Sequence, residues 1–318
     1  MHLGPAGRER KLRLQPVGAR FGQLPPACCR LYFPNRMPLI TERQSGPISI
    51  RDYVCSAGPG AKPYAERHEL HSISFVRRGS FGYRARGRAS ELVAGSVLAG
   101  QAGDEFTCTH EHHACGDECL SLQFGDDIAD LIAAPPGVFR AGAIPPLSEL
   151  MILAELTEAA VARRTDVSPT EAALAFAARF VEIASGRPDG NRPPSARDRQ
   201  RAVRAALFIE ENSTNELTLE TIASEAESSP FHFLRSFSAV LGVTPHQYLV
   251  RSRLRHAARL LADGERSVTD VALDVGFGDL SNFVNSFRRA VGVSPRAFRR
   301  AAAGDRKFLQ ERMGHLLR

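Results

Sequence analysis

Two periodicities divide the chain. Between Ile48 and Phe124, apolar and β-branched residues fall in short runs: Ile48–Val54, Ser72–Val76, Ser80–Tyr83, Glu91–Val93, Ser96–Leu98 and Cys119–Phe124. Turn signals separate them at Arg78-Gly79, Arg86-Gly87, Ala94-Gly95, Ala102-Gly103 and Gly116-Asp117. Strands spaced roughly ten residues apart predict a β-sandwich or barrel. The spacing then turns helical. Leu150, Leu153, Ala154 and Leu156, and again Leu174, Ala177, Phe180 and Val181, predict two antiparallel helices over Leu147–Arg163 and Pro169–Ala184. The second opens on Ser168-Pro169-Thr170-Glu171, with Ser as cap and Pro in the first turn.

The tract Ser185–Ser195 is rich in Pro, Gly and Arg and cannot continue a helix, so it predicts a boundary. The expected fold class is α+β in two domains: strands with two trailing helices, then an all-α domain of two helix-turn-helix units joined by a long helix. The expected spans are a poorly ordered tail over 1–45, the first domain over 46–184, a linker over 185–197, the helical domain over 198–300 and a basic tail over 301–318. Met37 is a candidate alternative start of translation.

The helical domain contains one unit twice. Phe233, Phe237, Gly242, Val243 and Pro245 recur 50 positions later as Phe283, Phe287, Gly292, Val293 and Pro295. A period this long in a helical region marks a supersecondary unit used twice. Each copy reads as a short helix with an Ile-Ala or Val-Ala pair, a tight turn and a second helix. In the first copy Ser228 or Ser229 caps the second helix, Pro230 enters it, and Phe233 and Phe237 turn inward. In the second, Asp279 caps, and Phe283 and Phe287 turn inward.

The outward residues of such a helix are groove readers. They are Phe231, His232, Leu234 and Arg235 in the first copy, and Leu280, Ser281, Asn282, Val284 and Asn285 in the second. Arg235 suits guanine O6 and N7, Asn285 suits adenine, and the exposed apolar residues suit thymine methyls. The joining helix, His246–Asp263, buries Tyr248, Leu249, Leu254, Ala257, Leu260 and Leu261 and carries Arg251, Arg253, Arg255 and Arg259. Arg253 is placed among the DNA contacts. At 1.5 Å per residue this helix spans about 27 Å, which sets the two readers near successive major-groove turns of about 34 Å.

Composition adds little by itself. The net charge of +6 permits a polyanionic partner without requiring one. Only three of the 41 basic residues are Lys (11, 62 and 307), and Arg grips phosphate and guanine bidentately where Lys cannot. Met1–Gly22 lacks the apolar stretch of a secretory signal, and no window approaches a membrane span. A cytoplasmic location, no membrane partner and six reduced thiols (Cys28, Cys29, Cys55, Cys108, Cys115, Cys119) are therefore expected. No phosphate-cradling Gly-rich loop, nucleophile elbow or Cys-x-x-Cys pair is present, so no enzyme activity and no cofactor are expected.

One cluster holds candidate chemistry, Cys108–Cys119. Cys108, His110, His112 and Glu118 are candidate ligands for Zn or Fe. Strand alternation would put Cys108, His110 and His112 on one side, with Cys115 and Cys119 beyond a turn. A redox-sensing thiol and an ordinary pocket lining are the other readings of the same residues.

The C-terminal residues resemble the DNA-binding domain of AraC-type transcription regulators over Arg201–Arg300. The resemblance rests on His232-Phe-x-Arg235-x-Phe237, Gly242-x-x-Pro245-x-x-Tyr248, Arg253-Leu-x-x-Ala257-x-x-Leu260-Leu261, Val271-Ala272, Gly276-Phe277, Ser281-x-Phe283-x-x-x-Phe287 and Gly292-x-Ser-Pro295-x-x-Phe298-Arg299. It implies double-stranded DNA as partner, with contacts from Phe231, Leu234 and Arg235 in one unit and Leu280, Ser281, Val284 and Asn285 in the other. More loosely, His71-x-Ile-x-Phe-Val76, Gly79, Gly95-Ser-Val97 and Gly116-Asp117 are similar to that family's cupin-like effector-binding domain. That likeness implies an unknown small-molecule effector, a homodimer through helices 147–163 and 169–184, and RNA polymerase as a further partner. The His110-x-His112…Glu118 spacing also echoes the metal motif of true cupins, one residue too long. A metal-dependent cupin enzyme, or a metal or redox sensor, is the alternative.

Overall fold

The computed structural model describes residues 38–113, 116–186, 194–264 and 266–304. The Met37 start, Cys28, Cys29, Cys115 and most of the two expected tails lie outside the described residues.

The described residues form nine antiparallel strands, eight of them ahead of the first helix: β1 Leu39–Ser45, β2 Ile48–Cys55, β3 Ala65–Arg67, β4 His71–Ala85, β5 Arg88–Val93, β6 Val97–Gly100, β7 Glu105–Thr109, β8 Asp117–Phe124 and β9 Ala143–Ile144. One sheet runs β1-β2-β8-β4-β6-β9; β3, β7 and β5 join the far half of β4 to form a second. β4 is continuous through Arg78-Gly79, which the sequence reading took for a turn. The bend there is a register shift between Val76 and Arg78 against β8. Gly79 is required at the bend: its φ is +72°, and a Cβ would lie 2.0 Å from the Gly116 carbonyl oxygen. The Arg86-Gly87 hairpin forms as expected, with φ of 52° and 74°. The expected tail ends sooner than predicted, because Leu39–Ser45 pairs along β2.

Alternation along the first sheet divides its faces. Ile48, Ile50, Ile73, Phe75, Leu120, Leu122 and Phe124 are buried against helices α2, Ser148–Val161, and α3, Pro169–Ser185. The intervening residues, Arg51, Tyr53, Cys55, Ser72, Ser74, Cys119, Ser121 and Gln123, line a cavity of about 550 Å³ between the sheets. A short helix, α1 (Asp126–Leu131), follows β8.

The C-terminal region contains α4 Ala196–Glu211, α5 Leu219–Glu225, α6 Pro230–Leu241, α7 Pro245–Asp263, α8 Val268–Asp274, α9 Leu280–Val291 and α10 Pro295–Ala302. Among the described residues, no helix is long and apolar enough to cross a membrane.

The two regions are packed together. The buried flank of α2, from Leu150 to Leu156, is at most 5% exposed and contributes to one apolar cluster with Leu254, Ala257, Ala258 and Leu261 of α7. The apolar surface of helix 147–163, expected to pair two copies, packs against α7 within one chain.

Candidate nucleic-acid interface

The two repeated units fold as the 50-residue period predicts. α5 and α6 form the first, α8 and α9 the second, with α7 between them. Phe233, Phe237, Phe283 and Phe287 are fully buried. Phe237 meets Tyr248 edge-on at 6.0 Å, and Phe287 meets Phe298 edge-on at 5.5 Å. Both second helices end on glycine in the left-handed region, Gly242 at φ 68° and Gly292 at φ 83°.

The exposed faces are unlike one another. On α6, Phe231 is 71% exposed, and the Arg235 guanidinium lies over its ring, 5.9 Å from the centroid. His232 is exposed beside them, its Nδ1 3.3 Å from Ser228 Oγ. Leu234 is half-buried. The helix starts on Ser229 and Pro230 without a side-chain cap. On α9, Leu280 is 40% exposed, and Ser281, Asn282 and Asn285 are open to solvent. Val284 is half-buried against the apolar cluster. Asp279 Oδ1 accepts from the Asn282 amide at 2.7 Å, so this cap forms as predicted. Ser286 Oγ donates to Asn282 Oδ1 at 3.2 Å.

A family model described as a helix-turn-helix domain matches residues 222–301. The HTH-type transcriptional activator RhaS of Escherichia coli O139:H28 is 37% identical over 103 residues, 32% of this chain and 36% of that protein. The bifunctional transcriptional activator/DNA repair enzyme AdaA of Bacillus subtilis is 31% identical over 101 residues, 32% of this chain and 48% of that protein. Residues 222–301 are an AraC-type helix-turn-helix domain. The chain thus spans less than half the length of these curated relatives. Among solved structures, the DNA-binding domain of AdpA in complex with a target DNA is 33% identical. It covers 32% of this chain and 91% of that one, with a TM-score of 0.31.

Within the AraC-type domain, the arginines of the joining helix have work other than the one the sequence suggested. Arg253 donates from Nε to the Ser213 carbonyl at 2.7 Å and from Nη2 to the Asn215 carbonyl at 2.7 Å. It pins the loop between α4 and α5 instead of standing free beside the readers. Arg251 donates to the Pro146 carbonyl at 2.6 Å, and the Tyr248 hydroxyl to the Ala94 carbonyl at 3.0 Å. Arg255, 2% exposed, donates to the Arg77 carbonyl at 2.6 Å and pairs with Glu210. Arg259 holds the Glu155 carboxylate with two bonds of 3.0 and 3.1 Å. Glu155 is 1% exposed, so this fork sits in a dry interface and is geometrically exacting. Burial and the neighbouring Arg255 and Arg259 hold the His256 ring down to about 4.

The Cys/His residues do not gather as their sequence spacing suggested. His110 lies at the cavity wall with Cys55 and Asp117, its Nε2 3.6 Å from Cys55 Sγ and 3.7 Å from Asp117 Oδ2. Burial pushes the His110 proton off, but hydrogen bonds with Asp117 and Cys55 outweigh it and raise the ring to about 9. Cys108 also faces the cavity, and burial pushes its thiol up. His112 turns away towards His113, whose ring bridges Ser80 at 2.8 Å and Glu91 at 2.9 Å. Glu118 faces outward to Arg78, 3.7 Å away. His110 is the one predicted ligand in the cluster. Cys55 and Asp117 share no local spacing, because β2 and β8 bring them together from 62 positions apart. Other cavity groups are hydrogen-bonded: Ser74 with Ser121 at 2.9 Å, Gln123 with Tyr53 at 3.0 Å, and His68 with Tyr83 at 3.0 Å. His68 is stacked on Phe106 at 4.2 Å, and burial lowers its ring to about 4.

Proposed function

We propose that the chain is a cytoplasmic, sequence-specific DNA-binding transcription regulator. In this reading α6 and α9 enter successive major-groove turns of one duplex face, and the interior cavity takes a small-molecule effector. The observation that carries it is the exposure of Phe231, Arg235, Leu280, Ser281, Asn282 and Asn285 on two helices of identical repeat register. Apolar and fork-donor side chains held together in water are poorly placed for a solvated face and well placed for base edges. The domain layout of 46–184 and 198–300 belongs to the same proposal, as do RNA polymerase and a second copy of the chain as partners. No catalytic activity is proposed.

The joining helix gives the effector a route to the DNA. Cavity-lining Ser72 and Ser74 lie on β4, which also supplies the Arg77 carbonyl to Arg255. A ligand that shifts β4 therefore acts on the helix that spaces the readers. Genome-wide footprinting in the native host tests the function. Footprints confined to promoter-proximal sites with two half-sites one helical turn apart are expected; even coverage without sequence preference would refute it.

A further inference from the structure

We propose that Cys55, His110 and Asp117 form a binding site for one borderline divalent cation of the Zn(II) class. The site lies in the cavity wall, and its open side faces the cavity. This inference does not depend on the effector reading above. Three elements build it: the last residue of β2, the residue following β7, and the first residue of β8. Cys55 and Asp117 are cross-strand partners, and His110 reaches over them from the neighbouring sheet.

The spacing suits an ion. The three ligand atoms all lie within 4.8 Å of one another, with His110 Nε2 at 3.6 Å from sulfur and 3.7 Å from the carboxylate. Zn–N and Zn–O bonds of about 2.0–2.2 Å and Zn–S bonds of about 2.3 Å give tetrahedral edges of roughly 3.3–3.8 Å. The two distances from His110 Nε2 already fall in that range.

Chemistry agrees with spacing. Thiolate, imidazole and carboxylate together favour Zn(II) over the hard cations. Asp117 is 8% exposed, and among the described residues its side chain meets the imidazole and, at 3.5 Å from Oδ1, the Cys119 thiol. A carboxylate taken that far out of water is poorly compensated, and a cation offsets its desolvation. The backbone is built tightly around the group. Gly116 (φ +68°) lies so close that a Cβ would sit 2.1 Å from the Cys55 carbonyl oxygen, so only glycine lets β8 begin against Cys55. Three protein ligands leave one tetrahedral position towards the cavity for water or a small ligand. Binding displaces the Cys55 thiol proton, and any proton on His110 Nε2, into solvent.

The test is metal analysis of the full-length protein after incubation with Zn(II) and dialysis. Wild type is expected to retain about one equivalent, and Cys55→Ser and Asp117→Asn less than a tenth. The pair His112→Gln and Glu118→Gln, which alters the residues the sequence spacing favoured, is expected to retain wild-type zinc. Co(II) bound to wild type should show a thiolate-to-cobalt charge-transfer band that Cys55→Ser abolishes. Far-UV circular dichroism of the metal-free variants, unchanged from wild type, separates ligand loss from misfolding. Less than a tenth of an equivalent in wild type, a Co(II) complex without thiolate absorption, or zinc lost with His112 and Glu118 but kept without Cys55 would overturn the proposal.

Discussion

In the first unit Phe233 and Phe237 are sealed beneath α6 while Phe231 and Arg235 stand stacked in water; in the second, Phe283 and Phe287 are sealed beneath α9 while Ser281, Asn282 and Asn285 face out. The inner faces are near copies. The outer faces differ in kind, a charged fork on an aromatic plate against a row of small polar groups. In the proposed function the two faces serve two forms of recognition, Arg235 for bidentate guanine contact and α9 for adenine and shallow contacts. The anchoring differs as well. The first unit's core shares a cluster with α4 and with Val93 of β5, whereas the second unit's core is continuous with α2 and the sheet. Each unit is thereby tied to the strand region by its own route.

The largest effects should come from the shared inner faces. Phe233→Ala and Phe283→Ala are each expected to cost about 3–5 kcal/mol in urea unfolding. If the second core is one body with α2, Phe283→Ala should also lower the transition followed by a probe in the sheet; a sheet transition unchanged from wild type would separate them. Glu155→Ala leaves the 38% exposed Arg259 without its carboxylate, while Arg255 keeps Glu210, and should cost about 1–3 kcal/mol. Glu155→Gln, which keeps an acceptor for Arg259, should cost less. Equal losses would show that the charge is not what the interface uses.

Smaller effects distinguish the helix starts. Asp279→Ala removes a formed cap and should destabilise by about 1 kcal/mol, whereas Ser229→Ala removes no side-chain cap bond and should cost little. Reversal of that order in thermal unfolding would contradict the cap assignment. A separate effect is on pH. His256 faces Glu210, Arg255, Arg259, Glu155 and Ser213, and its ring is held near 4, below the 6.5 of the unfolded chain. The unfolded state therefore binds the proton first, and stability falls as pH drops from about 6.5 towards 4. His256→Gln should flatten part of that decline; an identical pH profile would show the ring to be solvated.

Much of the helical region was legible because its signals are local. The 50-residue period, the i, i+4 phenylalanines and the terminal glycines each report one helix or one turn, and the structure keeps them all. The Arg residues of α7 were not legible in the same way. Helical spacing shows that Arg251, Arg255 and Arg259 recur along the helix, but only the packing of α7 against β4, α2 and the segment before α2 gives them Arg77, Glu155 and Pro146 as partners. The cavity follows the same rule. Strand alternation predicts that Cys108 and His110 share a face, and they do. Cys55 enters from β2, whose register with β8 is a tertiary fact with no trace in local spacing. Gly79 misled for a related reason: a glycine inside one long bent strand carries the same local signature as a turn.

The central claim is that Arg235 reads a base while the matching position of the second unit does not carry the same weight. Binding of wild type and Arg235→Ala, at one fixed salt concentration, should be compared on a duplex selected from random sequence and on an unrelated duplex. The account predicts a loss of about 1–3 kcal/mol on the selected site and almost none on the other. Equal losses on both duplexes would make Arg235 a phosphate contact and contradict it.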